Sequence, residues 1–419
     1  MNIKKTINIF YIIYTIYIIM VINVTSLTFY MIFPAIALMW INYFVFSAGY
    51  SVNKGSNMPV LTSKCSNSWL LNRKKISLMT IAVFSILFSI AAVKYYTGQT
   101  PLSVFKNLAN NTSLFYEYQL YFREQQRYIF SLTKIPFIFM LFYIKLIVFY
   151  SYISFLIVKE KTTKFDKFYL ILITLAHIYF GLARGTNYEF FELMVLIIFV
   201  ILSKSIKLKK FQLPLTALFK IFLLGSLMIF ISYIGVSARG VNFNYYISQD
   251  IQYDPNGVLS LLSPFLSFVT IIIFGYFGFG FFYISTYVCE LWFSSIGNFI
   301  AGFLPLGYYT FRSNNLPDIM RNLVDMGARW HPDVALIINN IGYLGLLMLC
   351  FLIGVFAKHL YNTKSKGPII YFTSFIILLQ MISLPVGNFI SASSASKLIV
   401  ALLFIVWVWK LFIKVRIKL

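Results

Sequence analysis

Ten apolar runs, most of them about as long as a membrane-crossing helix, dominate this 419-residue sequence. A helix that spans a bilayer needs about 20 predominantly apolar residues. Apolar residues make up 60% of the chain and charged residues only 11%, whereas a soluble domain carries about 25% charged residues. We therefore predict one all-α, polytopic membrane domain over 1–419, with spans at 6–22, 27–48, 76–96, 135–158, 168–183, 190–203, 213–236, 335–357, 369–388 and 398–413.

The stretch 258–310 is ambiguous in this scheme. It is long enough for two spans, but prolines and glycines such as Pro264, Gly278 and Pro305 interrupt it. A helical pair and a re-entrant element are both compatible with this pattern. Either choice leaves the sidedness of the other spans unchanged and gives a bundle of about 10–12 spans.

Basic residues are distributed unevenly between the two sides of this arrangement. With a cytoplasmic N-terminus, 22 of the 35 Lys and Arg residues fall in inside segments and 11 in outside segments. The positive-inside rule favours this orientation, with both termini cytoplasmic. The net charge of +23 is then a topology signal, and we expect no nucleic-acid partner.

Arginine departs from this distribution, since seven of the nine arginines lie in outside segments. A guanidinium is a planar fork that binds phosphate through two parallel hydrogen bonds, which lysine cannot do. The alternative is that these arginines are scattered loop residues. The pattern favours a phosphate-binding role on the outer face.

Three outer segments are long enough to carry a site, at 95–134, 237–257 and 312–334. The first is rich in tyrosine, whose ring faces suit sugars, and an amphipathic interfacial helix is the alternative. The third holds three arginines, three aspartates and one histidine within 22 positions. Arg321 and Asp325 are four residues apart, so a helix-surface pair is also possible there.

A short internal repeat places two arginines at equivalent positions. Residues 183–191 and 238–246 both begin Ala-Arg-Gly, and both follow a span that exits outward. Gly185 and Gly240 permit a sharp turn. Arg184 and Arg239 are thereby predicted to sit at the same depth and to clamp one diphosphate. Snorkelling of interfacial arginines is the alternative.

The remaining polar features predict neither a metal site nor a cofactor. His177 lies within a span and is expected to be a buried, hydrogen-bonded histidine, and Lys145 and Lys220 within spans are assigned no role. The cysteines are unclustered and odd in number, which implies no disulfide framework: Cys65, Cys289 and Cys350.

The layout resembles the Wzy-type O-antigen polymerases. The resemblance rests on the number of spans, on the two Ala-Arg-Gly turns and on a late outer loop. That loop ends in Trp-His-Pro-Asp at 330–333, before a span that opens Asn-Asn-Ile-Gly-Tyr-Leu-Gly at 339–345. It implies location in the bacterial inner membrane with a periplasmic active face. It also implies that the growing glycan is transferred from undecaprenyl diphosphate to a new lipid-linked repeat unit, with a chain-length regulator and a flippase as partners.

Such a transfer needs cations for the leaving diphosphate and a base for the acceptor hydroxyl. The candidates for diphosphate binding are the outer arginines Arg184, Arg239, Arg312, Arg321 and Arg329. The candidates for the base are His331, Asp333, Asp325 and Glu189. A histidine has an ordinary pKa of about 6.5, so His331 can accept a proton near neutral pH.

Two other functional classes stay open. A lipid-linked oligosaccharide flippase or another secondary transporter would carry charged residues in a central cavity and an inverted repeat, whereas the charge here lies in long outer loops. O-antigen ligases share the plan of a basic outer loop with a histidine. A membrane acyltransferase would also need a histidine-centred motif, for which only His331 is available.

Overall fold

The fold is taken from a computed structural model of the chain. The structure describes residues 3–52, 70, 73–109, 114–127, 129, 131–159, 162–207, 215–237, 251–286, 296–297, 300, 332–363, 367–387, 389–390 and 393–416.

Helices account for nearly all of these residues. In chain order they are α1 Ile3–Ile22, α2 Phe29–Val52, α3 Lys75–Thr97, α4 Pro101–Ala109, α5 Leu114–Glu124, α6 Ile135–Ile153, α7 Lys164–Ala183, α8 Tyr188–Lys207, α9 Leu215–Ser237, α10 Val258–Leu262, α11 Pro264–Ile273, α12 Phe279–Thr286, α13 Asp333–Asn362, α14 Pro368–Val386 and α15 Ser394–Arg416. A π-helical turn, Ser154–Val158, extends α6, and another, Phe274–Gly278, joins α11 to α12.

Each of the ten predicted spans coincides with one of these helices, within a few residues at either end. Among the described residues, seven helices are long and apolar enough to cross a membrane. The prediction of an all-α membrane bundle is therefore confirmed. Of the ambiguous stretch, residues 264–286 form a continuous helical run, whereas most of 287–310 lies outside the described part of the chain.

The two ends of the helical bundle differ in chemistry. At one end, the Nζ atoms of Lys4 and Lys358 lie 5.9 and 5.0 Å from the centre of the Tyr50 ring. Lys159 Nζ pairs there with Asp166 at 2.6 Å. We call this the lysine end. It corresponds to the predicted inside segments, and the compartment it faces stays a prediction.

The opposite end gathers the C-terminus of α7, the N-termini of α8 and α13, and the segment after α14. We call it the arginine end, after Arg184 in the turn between α7 and α8. The connections here include an antiparallel contact of Thr25 with Tyr253, in which Ser26 N–H donates to Gln252 O at 2.9 Å. The segments 23–27 and 251–257 therefore lie on the same end of the bundle.

Two glycines bring α2 and α13 into backbone contact. A Cβ atom on Gly49 would lie 2.1 Å from the carbonyl oxygen of Phe351, and one on Gly354 would lie 2.1 Å from that of Phe46. Small residues at such crossings are typical of helix pairs in membranes, where packing replaces the hydrophobic effect. Near its start, α13 also kinks at Gly342, which has a φ of 72°.

Candidate functional site

The Ala-Arg-Gly turn at 183–185 is the C-cap of α7. Gly185 has a φ of 59°, a conformation that glycine adopts at little cost. Its N–H donates to Leu182 O at 2.9 Å, and the N–H of Thr186 donates to Gly181 O at 3.0 Å. These two bonds form a Schellman motif, which satisfies the last carbonyls of the helix. The predicted role of Gly185 in a sharp turn is thus confirmed.

This cap places Arg184 against Glu189, which lies in the first turn of α8. The guanidinium donates from an Nη atom to Glu189 Oε1. The Arg184 side chain is 18% exposed and that of Glu189 only 5%. Burial acts to lower the pKa of Arg184, but the carboxylate of Glu189 outweighs it and holds that pKa above its ordinary value.

Aromatic rings surround the guanidinium of Arg184. Its Cζ lies 4.3 Å from the centre of the Phe180 ring and 5.8 Å from that of Tyr118. Cation–π contacts at these distances are favourable, most of all where water is excluded. The ion pair is therefore held on one side by α7 and on the other by α5.

The tyrosine-rich outer segment folds into α4 and α5, which pack over this turn. The carboxylate of Glu117 joins the two helices, accepting hydrogen bonds from Gln99 at 2.8 Å and Asn107 at 2.6 Å. A Cβ atom on Gly185 would lie 2.5 Å from the backbone nitrogen of Phe115, so α5 rests directly on the turn. Apolar side chains such as Leu102, 80% exposed, face away from the protein, as expected of an interfacial helix.

A second polar group at the arginine end centres on the peptide of Phe389, after α14. Ser383 Oγ donates to the carboxylate of Asp333, which is fully buried, and accepts from Phe389 N–H at 3.2 Å. The carbonyl of Phe389 accepts from Tyr188 Oη at 3.0 Å and Ser396 Oγ at 2.8 Å. The starts of α8, α13 and α15 are thus connected through one loop residue.

The same network continues into the bundle interior. Lys145 Nζ on α6 donates to Ser396 Oγ at 2.5 Å and to Tyr188 Oη at 3.2 Å, and it lies 2.5 Å from Glu192 Oε1. His177 on α7 places Nε2 at 3.8 Å from Glu192 Oε2. We call Lys145, His177 and Glu192 the buried triad. Intramembrane ionisable residues are rare and are usually functional.

Three of the nine predicted site residues lie in the described part of the chain. Arg184 and Glu189 are in contact with each other, and Asp333 joins them indirectly, through the Phe389 peptide and Tyr188. Their functional roles stay predictions. The other six lie outside the described residues: Arg239, Arg312, Arg321, Asp325, Arg329 and His331.

The buried triad was not recognised as a unit in the sequence. From the sequence, Lys145 and His177 are assigned no functional role, and no prediction is made for Glu192. A signal for it exists, because Glu189 and Glu192 are three residues apart and therefore share a helix face. A carboxylate inside an apolar span also demands a partner, and Lys145 and His177 are two of the ionisable residues in neighbouring spans.

Comparisons with known proteins add no relative to this description. No protein-family model matches the chain, and neither a curated protein nor a solved structure is detectably similar to it. The arginine end and the buried triad are therefore the features from which a function is proposed.

Proposed function

We propose that this chain is a membrane glycosyltransferase that polymerises lipid-diphosphate-linked oligosaccharides, similar to the Wzy-type O-antigen polymerases. The observation that carries the proposal is the Arg184–Glu189 pair. It joins a guanidinium, a group suited to phosphate binding, and a carboxylate, a group suited to act as a base, at one end of a membrane bundle and beside an aromatic ring. These are the two chemical groups that glycosyl transfer from a lipid diphosphate requires.

The Arg184–Glu189 pair suggests how binding of the lipid-diphosphate substrate frees the carboxylate of Glu189 to act as a base. A diphosphate offers Arg184 two charge-assisted contacts, which can replace those of Glu189. The displaced carboxylate then accepts the proton of the acceptor hydroxyl. The acceptor oxygen bonds to the anomeric carbon as the bond to the diphosphate breaks, and the electron pair leaves on the diphosphate oxygen, where Arg184 stabilises the charge.

The helix α5 supplies a surface for the sugar rings. Tyr118 lies next to Arg184 and is buried, whereas Tyr116 on the same helix is 68% exposed and offers its ring to a sugar. Tyrosine combines an apolar ring face with a polar edge, which matches a pyranose ring bearing hydroxyls. The lipid tail would lie beside the exposed apolar side chains of α4 and α5.

Gene deletion followed by complementation tests the proposal. A cell without the polymerase carries single repeat units on its surface glycolipid, and the full-length gene restores long chains. Loss of all surface repeat units, with lipid-linked units retained inside, would identify a flippase. Long chains that stay on the lipid carrier would identify a ligase. Either of these patterns contradicts the polymerase.

A secondary transporter of lipid-linked glycans is the second candidate, favoured by one observation. The buried triad places three ionisable side chains between helices in the bundle interior, which is typical of proton relays in transporters. A transporter is expected to move lipid-linked units across vesicles without lengthening the glycan, whereas a polymerase lengthens it on one side.

A further inference from the structure

The three side chains of the buried triad come from three different helices. Glu192 on α8 is 0% exposed and lies between Lys145 on α6, at 2.5 Å from Oε1, and His177 on α7, at 3.8 Å from Oε2. His177 and Lys145 are 5% and 4% exposed. The two oxygens of the Glu192 carboxylate therefore face two different nitrogen groups, an ammonium and an imidazole.

Lys145 and His177 are not equivalent in their contacts. Lys145 makes hydrogen bonds to Ser396 Oγ and Tyr188 Oη as well as its contact with Glu192, so it is held as a fixed cation. His177 Nε2 is buried and has no hydrogen-bond partner among the described residues. Buried polar groups are nearly always paired. His177 Nε2 and Glu192 Oε2 lie 3.8 Å apart, so a small approach of the two side chains brings them to the distance at which they share a proton.

We propose that Glu192 and His177 form a proton-binding site in the interior of the bundle, with Lys145 as its fixed counter-charge. The bound proton resides on Glu192 Oε2 and passes to His177 Nε2. In that step the O–H bond breaks and an N–H bond forms, leaving a carboxylate and an imidazolium. The site is distinct from the Arg184–Glu189 pair, and its test requires no measurement of glycan transfer.

The number of buried charges decides where the bound proton resides. With the proton on the carboxyl, the triad holds one charge, that of Lys145, whereas with the proton on His177 it holds three. Burial favours the arrangement with fewer charges. The ammonium of Lys145 adds to this preference, because it contacts the same carboxylate and repels a positive charge on His177. The titratable and charged groups that face Glu192 are Lys145, His177, Tyr188 and Glu189.

The site also has a connection to the arginine end. Glu189 precedes Glu192 by three residues, so both carboxylates lie on the same face of α8, about one turn apart. Glu189 contacts Arg184, which is partly exposed. A proton that enters at the arginine end thus meets Glu189 first and Glu192 one helical turn deeper.

Infrared difference spectroscopy of the full-length protein in lipid nanodiscs tests the site without an activity assay. The band of protonated carboxyl groups is followed from about pH 4 to about pH 9. The wild type is expected to show a component that disappears as the pH rises and that is missing in Glu192→Gln. His177→Leu should move its midpoint by about one pH unit or more, because the proton loses its acceptor.

Two further variants make the result decisive. If Glu192→Gln does not fold, Glu192→Asp keeps a carboxyl and should displace the band instead of abolishing it. Asp166→Asn at the lysine end is the matched control, and it should leave the component unchanged. A wild-type spectrum in which Glu192 is ionised throughout, or a component that is insensitive to His177→Leu, overturns the proposal.

Discussion

Gly181 lies directly against the carboxylate of Glu189. A Cβ atom at Gly181 would be 2.5 Å from Glu189 Oε2 and 3.2 Å from Glu189 Cβ. Because Gly181, in the last turn of α7, has no side chain, Glu189 can reach Arg184. The geometry of the Arg184–Glu189 ion pair thus depends on there being no side chain at Gly181.

Substitution of Gly181 by alanine is expected to break the Arg184–Glu189 contact. The carboxylate is the far end of a flexible side chain and swings away, so the free energy of unfolding should fall by only about 1 kcal/mol. Glycan polymerisation should fall much more. Gly225→Ala on α9, where no atom of the described residues lies within 4 Å of the added Cβ, is the control and should lower neither quantity. Equal rates of glycan polymerisation in Gly181→Ala and Gly225→Ala would show that the close approach of Gly181 to Glu189 is unimportant.

Replacement of Arg184 by lysine keeps the charge but removes the planar fork. We expect polymerisation of lipid-linked units to fall about 10²-fold, the usual effect of losing one donor to a developing negative charge, while membrane insertion is unchanged. Chain length and rate are measured with purified lipid-linked substrate. Lys358→Gln at the lysine end serves as the control, and normal long chains in Arg184→Lys would exclude Arg184 from the diphosphate site.

The arginine end is expected to face the periplasm. In a background without native cysteines, Gln125→Cys beyond α5 should react with an impermeant thiol reagent in intact spheroplasts. Asn362→Cys, at the lysine end of α13, should react only after permeabilisation. The reverse pattern would place the lysine end outside and would contradict the positive-inside assignment.

His331 is the candidate base that competes with Glu189, and it gives a test that depends on pH. A histidine base must be neutral, so wild-type polymerisation should decline as the pH falls below about 6.5, the ordinary pKa of histidine. His331→Ala should reduce the rate strongly at equal protein level, and less at raised pH, where more acceptor hydroxyl is ionised. A variant with the wild-type rate and pH profile would leave Glu189, Asp325 and Asp333 as the remaining candidates.

The hydroxyl group of Ser383 connects Asp333 to the segment after α14, and substitution by alanine tests its contribution to stability. Ser383→Ala removes the donor to buried Asp333 and the acceptor of Phe389 N–H. Phe389 N–H keeps its second acceptor, Gly387 O at 3.0 Å, so the main loss is the hydrogen bond to the buried carboxylate. A hydrogen bond to a charged group contributes about 1.5–3 kcal/mol, so the midpoint of denaturant unfolding in detergent should fall clearly. Ser51→Ala, which removes only an exposed hydrogen bond within α2, should unfold at the same denaturant concentration as the wild type.

The positions of the membrane helices were predictable because hydropathy determines them. All ten predicted spans match helices, and the glycine of the turn at 183–185 was readable because only a few residues tolerate a positive φ. The contact of Arg184 with Glu189 also follows from that turn, since it brings two nearby residues together across a helix cap.

The buried triad could not be predicted in the same way. It requires α6, α7 and α8 to be neighbours with a specific rotation about each axis, which brings Lys145, His177 and Glu192 onto facing sides. The helices α6, α7 and α8 are apolar over most of their surface, so they carry little periodic signal that would reveal their rotation. Pairing between spans depends on close packing, which no single-sequence pattern records.

The contact of Gly49 with Phe351 and of Gly354 with Phe46 has a consequence for how the chain tolerates changes in length. The two glycines must stay opposite the two carbonyls, so one residue inserted between Phe46 and Gly49 would rotate Gly49 by about 100° and bring a side chain against a backbone oxygen. Deletions there have the same effect. The segment 46–49 of α2 therefore tolerates neither insertions nor deletions, because it packs against α13, about 300 positions away along the chain.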